Sequence, residues 1–112
     1  MRAVTVAANL TANTLTTLYT VPTGYYARVV LLRATNASSS NKHITFDFVD
    51  ASPSTTYSIV YQEAVTAKTV KDWGGGLAYF VMEEGDILKA TSESASTFAV
   101  FATIEQIGLT RQ

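Results

Sequence analysis

Cysteine is absent from the 112 residues, which excludes a disulfide framework, a thiol nucleophile and a thiolate metal site, and leaves either redox compartment open. Histidine occurs once, as His43, so one chain can build neither a two-histidine metal site nor a nucleophile–histidine pair with a second histidine to orient it. Charge is scarce as well. Only 15% of residues are charged, against about 25% in an average globular domain, and the net charge is −1. The basic residues Arg2, Arg28, Arg33, Lys42, Lys68, Lys71, Lys89 and Arg111 are scattered, which leaves no electrostatic footprint for nucleic acid. No apolar run approaches the length needed to cross a bilayer, and Met1 to Thr14 is too interrupted by Thr and Asn for a signal peptide. The expectations are therefore no nucleic acid, no membrane and no cofactor.

What the chain does contain is Thr, Ser, Asn and apolar residues, the last at 47%. At this length one domain is expected, burying about 65% of the surface of the unfolded chain. A surface covered mainly by uncharged polar groups has little protection against association, which suits a subunit of an assembly. The organising stretch is Thr20 to Thr35. Pro22 and Gly24 make a tight turn, and Tyr25 to Ala34 follows as a central strand with an unbroken apolar run from Val29 to Leu32.

The remaining strands follow from period-2 alternation and turn residues. Ala3 to Thr11 sets Val4, Val6, Ala8 and Leu10 on one face, and Ala12-Asn13 breaks it. Thr14 to Val21 carries Leu15 and Tyr19 opposite Leu18. After the polar loop Asn36 to Asn41, Lys42 to Asp50 presents Ile44, Phe46 and Phe48 to a core. Ser54 to Glu63, with Tyr57, Ile59 and Tyr61 on one face, returns across the Pro53 turn. Ala64 to Gly76 reads as a long irregular loop, within which Val65 to Asp72 could hold a turn or two of helix. Leu77 to Met82, then Asp86 to Thr91 beyond the Glu83–Asp86 turn, are short strands. Beyond the polar loop Ser92 to Ser96, Thr97 to Ile107 closes the fold with Phe98, Val100, Ala102 and Ile104 inward. The expected fold is all-β, a single antiparallel sandwich of about eight strands over residues 1–112, jelly-roll-like in its mixed connections.

No constellation for catalysis emerges. His43 reads as a surface or strand-edge residue, with a site on the axis of a symmetric ring as the sharper alternative. Asp47 and Asp50 flank a strand end, and Glu83, Glu84 and Asp86 read as a solvated hairpin more simply than as a calcium loop. Arg28 and Arg33 read as edge or inter-subunit pairing groups. Trp73, next to Gly74-Gly75-Gly76, is the most unusual local sequence; it either plugs the sandwich, contacts a partner or stacks on a sugar. One of Tyr25 and Tyr26 should reach the core and the other a contact surface. Trp73, Tyr25 and Tyr26 are the candidate partner-contact residues.

The order TVPTG (Thr20 to Gly24), ATN (Ala34 to Asn36), GD (Gly85-Asp86) and a final strand from Thr97 to Glu105 resembles small bacteriophage virion proteins of the decoration, tail-adaptor and fibre-base type. That resemblance implies a non-enzymatic virion structural protein, assembled in a host cytoplasm, that forms homo-oligomers, often trimers. Its implied partners are the major capsid protein or other virion proteins. A capsid decoration or cement protein is the leading expectation, with a tail, neck or fibre-base component as the alternative. A carbohydrate-binding module built on Trp73 is the rival from another class. Met1 to Thr11 is expected either to complete its own sandwich or to exchange with a neighbour.

Overall fold

The computed structural model of the chain describes residues 2–10, 15–51, 54–74, 80–93 and 97–108. All regular structure among them is β: β1 (Arg2–Leu10), β2 (Thr16–Thr20), β3 (Tyr25–Asn36), β4 (Lys42–Asp50), β5 (Thr55–Val65), β6 (Thr69–Gly74), β7 (Phe80–Met82), β8 (Ile87–Ser92) and β9 (Phe98–Gly108). The larger sheet runs β1-β9-β3-β6, with β7 sharing the β6 side of β3, and the smaller runs β2-β8-β4-β5. Every pairing is antiparallel. Strands β1 to β4 alternate between the sheets, and the chain returns to lay β8 between β2 and β4 and β9 between β1 and β3. This interleaving is the jelly-roll form of the β-sandwich expected from the sequence.

The alternation that marked the strands also fills the core. Ala27, Val29, Leu32 and Ala34 of β3, Ile44 and Phe46 of β4, and Phe98, Val100, Ala102 and Ile104 of β9 are fully buried. A bulge between Val29 and Leu31 lets the long apolar run of β3 keep facing inward past an extra residue. Strand β1 pairs with β9 over its whole length, so it completes its own sandwich. A buried polar side chain fastens the end of β3. Asn36 donates from Nδ2 to the carbonyls of Ser40 (3.0 Å) and Val65 (2.9 Å) and accepts from the Ser38 amide at 2.9 Å. With its hydrogen-bonding capacity used in this way, a buried amide is cheap to hold.

Three expectations need correction. Ala64 to Gly76 is not a long loop. Strand β5 continues to Val65, a tight turn with Lys68 at φ 59° follows, and β6 begins at Thr69. In β6 the alternation is inverted, with Val70 exposed while Lys71 and Trp73 are half-buried, so its strand character is hidden in the sequence. In β5 Val60, opposite Phe46, is buried and Ile59 packs against the core as expected, while Tyr57 and Tyr61 are 51% and 70% exposed. Register shifts around Phe46 cause this reversal. In β2 a bulge between Thr17 and Tyr19 turns both Leu18 and Tyr19 onto the core, leaving Leu15 exposed. The expected features at Ala12-Asn13, Pro53, Gly75-Gly76, Leu77 to Tyr79 and Ser94 to Ser96 lie outside the described residues.

Candidate functional site

The two turns quoted from the sequence meet at one end of the sandwich. Gly24 (φ 86°) donates its amide to Glu84 Oε1 at 2.7 Å, and Gly85 (φ 87°) donates to the Val21 carbonyl at 3.0 Å. The Val21 amide in turn donates to the Asp86 carbonyl at 2.9 Å. Asp86, 4% exposed, accepts from the Ala51 amide at 2.9 Å and from the Glu83 amide at 2.8 Å. One residue thus joins three places: its carboxylate holds the end of β4 and the turn before β8, and its backbone carbonyl holds the turn before β3. The sequence marked Glu83, Glu84 and Asp86 as a solvated hairpin. Asp86 departs from that because backbone amides satisfy its charge in place of water.

This junction positions the tyrosines. Tyr26 lies with Val81, Glu83 and Glu84 around an open cleft of about 480 Å³. Tyr25 is 38% exposed and Tyr26 is half-buried, so neither reaches the core. Tyr25 shares the inward parity of Ala27 but lies at the very start of β3, opposite Gly108, and stays 38% exposed. Trp73, opposite Leu32 on β3, is half-buried and packs edge-on against Phe46, with ring centroids 5.5 Å apart. The indole belongs to the shell around the core, and only its uncovered part faces outward. Tyr25 and Tyr26 are thus neighbours at the start of β3 on opposite faces, and Trp73 lies on another strand.

His43 follows β4 outward, with Nε2 3.5 Å from Glu93, and Asp47 accepts from Ser58 Oγ at 3.2 Å. No cluster of three or more metal-ligating side chains occurs among the described residues. Lys71 of β6 pairs with Glu63 of β5, clipping the two sheets together at one open side. At the other, the Tyr19 hydroxyl donates to Gln106 Oε1 at 2.7 Å, and burial raises the pKa of this phenol.

The surface that sequence reasoning missed is the outer face of the larger sheet. Its charged residues are Arg28 and Arg33 of β3, Asp72 of β6 and Glu105 of β9. Arg28 meets Glu105 at 2.6 Å, and Arg33 grips Asp72 through two bonds of 2.6 and 3.0 Å. The arginines, expected to be edge or inter-subunit pairing groups, pair with carboxylates of neighbouring strands within the chain. Between the two pairs lie Leu31 and Phe101, flanked by Val70, Val81, Ile107, Ala3 and Ala7, with Phe101, Val70 and Val81 exposed at 37%, 53% and 52%. Thr5, Asn9, Thr35 and Thr103 share the face, which is therefore internally neutralised and mixes apolar with small polar groups. The signal for it was present in the odd-numbered positions of β9, but only the register shows that they align with Leu31 and Val81.

Hydrogen bonding to Arg33 holds the Asp72 carboxyl below the usual aspartate range. A lowered folded-state pKa contributes stability above the unfolded value, lost as pH falls through the folded value. Both partners are exposed, so the contribution is small. Asp72→Asn is expected to lower the urea midpoint slightly at pH 7, and the difference from the natural chain is expected to shrink as the pH falls through the lowered folded-state value.

No protein-family model and no curated protein matches the sequence. Among solved structures, a protein of the Bacillus endospore appendages, described as disulfide-linked pili, aligns over 97% of this chain and 88% of its own, with 12% identity and a TM-score of 0.57. The capsid of cyanophage Pam1 aligns over 91% of this chain and 83% of that one, at 16% identity and a TM-score of 0.47. A pentameric capsid protein from metagenomic phage sequences aligns over 94% and 64%, at 20% identity and 0.44. The pilus protein shares the fold, and the two capsid proteins align too loosely to add to that.

Proposed function

We propose that this chain is a non-enzymatic structural protein of a bacteriophage particle, and that it decorates the capsid by bridging neighbouring major capsid subunits. The observation that carries the proposal is the outer face of the larger sheet. A surface whose charges are matched internally, and whose other side chains are apolar groups interspersed with threonines and one asparagine, gains from being covered by protein and offers little to a charged ligand. The scarcity of charge in the whole chain supports the same reading, as does the resemblance carried by the TVPTG and GD turns, which the fold joins through Asp86. Each contact is modest in area, and repetition on a lattice makes the attachment strong. Tyr25 and Tyr26, at the junction end, and the uncovered part of Trp73 are further contacts.

The test is addition of the purified protein to capsid shells that lack it. Saturation at a fixed ratio to the major capsid protein supports decoration. A few copies per particle, found only on particles with tails, move the protein to the tail or neck. Glycan binding that Trp73→Ala abolishes replaces both with the carbohydrate-binding module.

A further inference from the structure

The larger sheet ends on β1, and among the described residues nothing pairs with the free side of that strand. The other outer strands each carry a device that discourages pairing. Strand β2 has five residues and a bulge. Strand β5 twice breaks register with β4 and holds Gln62 at φ 48°. Strands β6 and β7 have six and three residues, and β6 carries Lys71 and Asp72. Strand β1 has none of these. It runs nine residues in unbroken register with β9, contains no proline or glycine, and bears a single charge, Arg2, at its start.

We propose that β1 pairs antiparallel with β1 of a second copy of this chain, about a two-fold axis at Val6, so that the two larger sheets continue as one. The proposal rests on the assembly reading above and names the contact between copies. In this register Val6 faces Val6, Val4 faces Ala8, Thr5 faces Ala7 and Ala3 faces Asn9. The inner row is apolar except at its two ends, where Arg2 faces Leu10, the outer row remains small, and no like charges meet. Val4, Val6 and Ala8 are only half-buried although they face the core side, and the second copy covers them. The one charge selects the direction. Antiparallel pairing holds the two Arg2 side chains about 26 Å apart, whereas parallel pairing would place them side by side. Nine residue pairs provide about nine backbone hydrogen bonds, close to the ten or so of a stable interface. Pairing also doubles the width of the outer face. The result is an even-numbered assembly, in contrast to the trimer implied by the resemblance.

The natural chain has no cysteine, so introduced ones report the contact without background. Thr5→Cys and Ala7→Cys protein, mixed in equal amounts and oxidised, should cross-link to a dimer. Either variant alone should do so about tenfold less, because in this register its cysteines sit roughly 7–8 Å apart on a diagonal, beyond disulfide reach. In light scattering the natural chain should have twice the mass of the Thr5→Lys/Ala7→Lys variant, with unchanged circular dichroism. A monomeric or trimeric natural chain, or a mixture that cross-links no better than its components, overturns the proposal. No shells are present in these measurements, which separates the two readings. A dimer that ignores shells keeps the β1 contact and ends the decoration role, and a monomer that saturates shells does the reverse.

Discussion

Replacing Asp86 by alanine should cost about 3 kcal/mol or more and lower the unfolding midpoint by roughly 10–20 °C. The carboxylate is 4% exposed and accepts from two backbone amides, those of Ala51 and Glu83. Hydrogen bonds to a charged acceptor contribute about 1.5–3 kcal/mol each, and truncation leaves both buried donors unmatched. The loss extends along the chain, because the same turn holds Val21 and Gly24 in place for the entry into β3. Asp86→Asn keeps one acceptor oxygen and should lose about half as much. Thermal unfolding followed by circular dichroism measures both. A shift under about 4 °C for Asp86→Ala would mean that water replaces the carboxylate and that the junction is no anchor.

The second large effect concerns attachment. Phe101 lies at the middle of the outer face, opposite Ala7 on β1 and Arg33 on β3. Phe101→Ser removes the largest apolar group there without adding charge, and its 37% exposure means that the fold should survive. Losing a central aromatic contact costs about 1.4 kcal/mol or more, a factor of ten per copy. Two linked copies bound to one lattice multiply that to about a hundredfold. Co-sedimentation with shells over a concentration series measures it. Unchanged affinity would take the outer face out of the contact and leave the tyrosine end of the sandwich as the place to look.

The strands that were legible in the sequence are those whose alternation meets a core on one side and solvent on the other. Lys42 to Asp50 was bounded correctly, and the inward row of β9 was read residue by residue. Alternation failed where a bulge or an edge breaks the link between parity and face. Two side chains of β2 turn inward across a bulge, and Val60 takes the place expected of Tyr61. Strand β6 sets Lys71 inward, where its apolar stem lines the edge while its ammonium reaches Glu63. The candidate contacts were legible only in part. Tyr25 and Tyr26 take opposite faces as strand parity suggested but neither is buried in the core, whereas Trp73 packs on Phe46, a contact between residues 27 positions apart in the chain that no local pattern encodes. The outer face of the larger sheet is assembled from five strands by register, and no single stretch displays it.

The most direct measurement is the number of copies that bind a shell lacking the protein. Purified chain titrated into such shells should saturate at a fixed, lattice-matched ratio to the major capsid protein and should raise the temperature at which the shells come apart. Shells that take up no protein at concentrations well above those in an infected cell, and that come apart at an unchanged temperature, would contradict the decoration role.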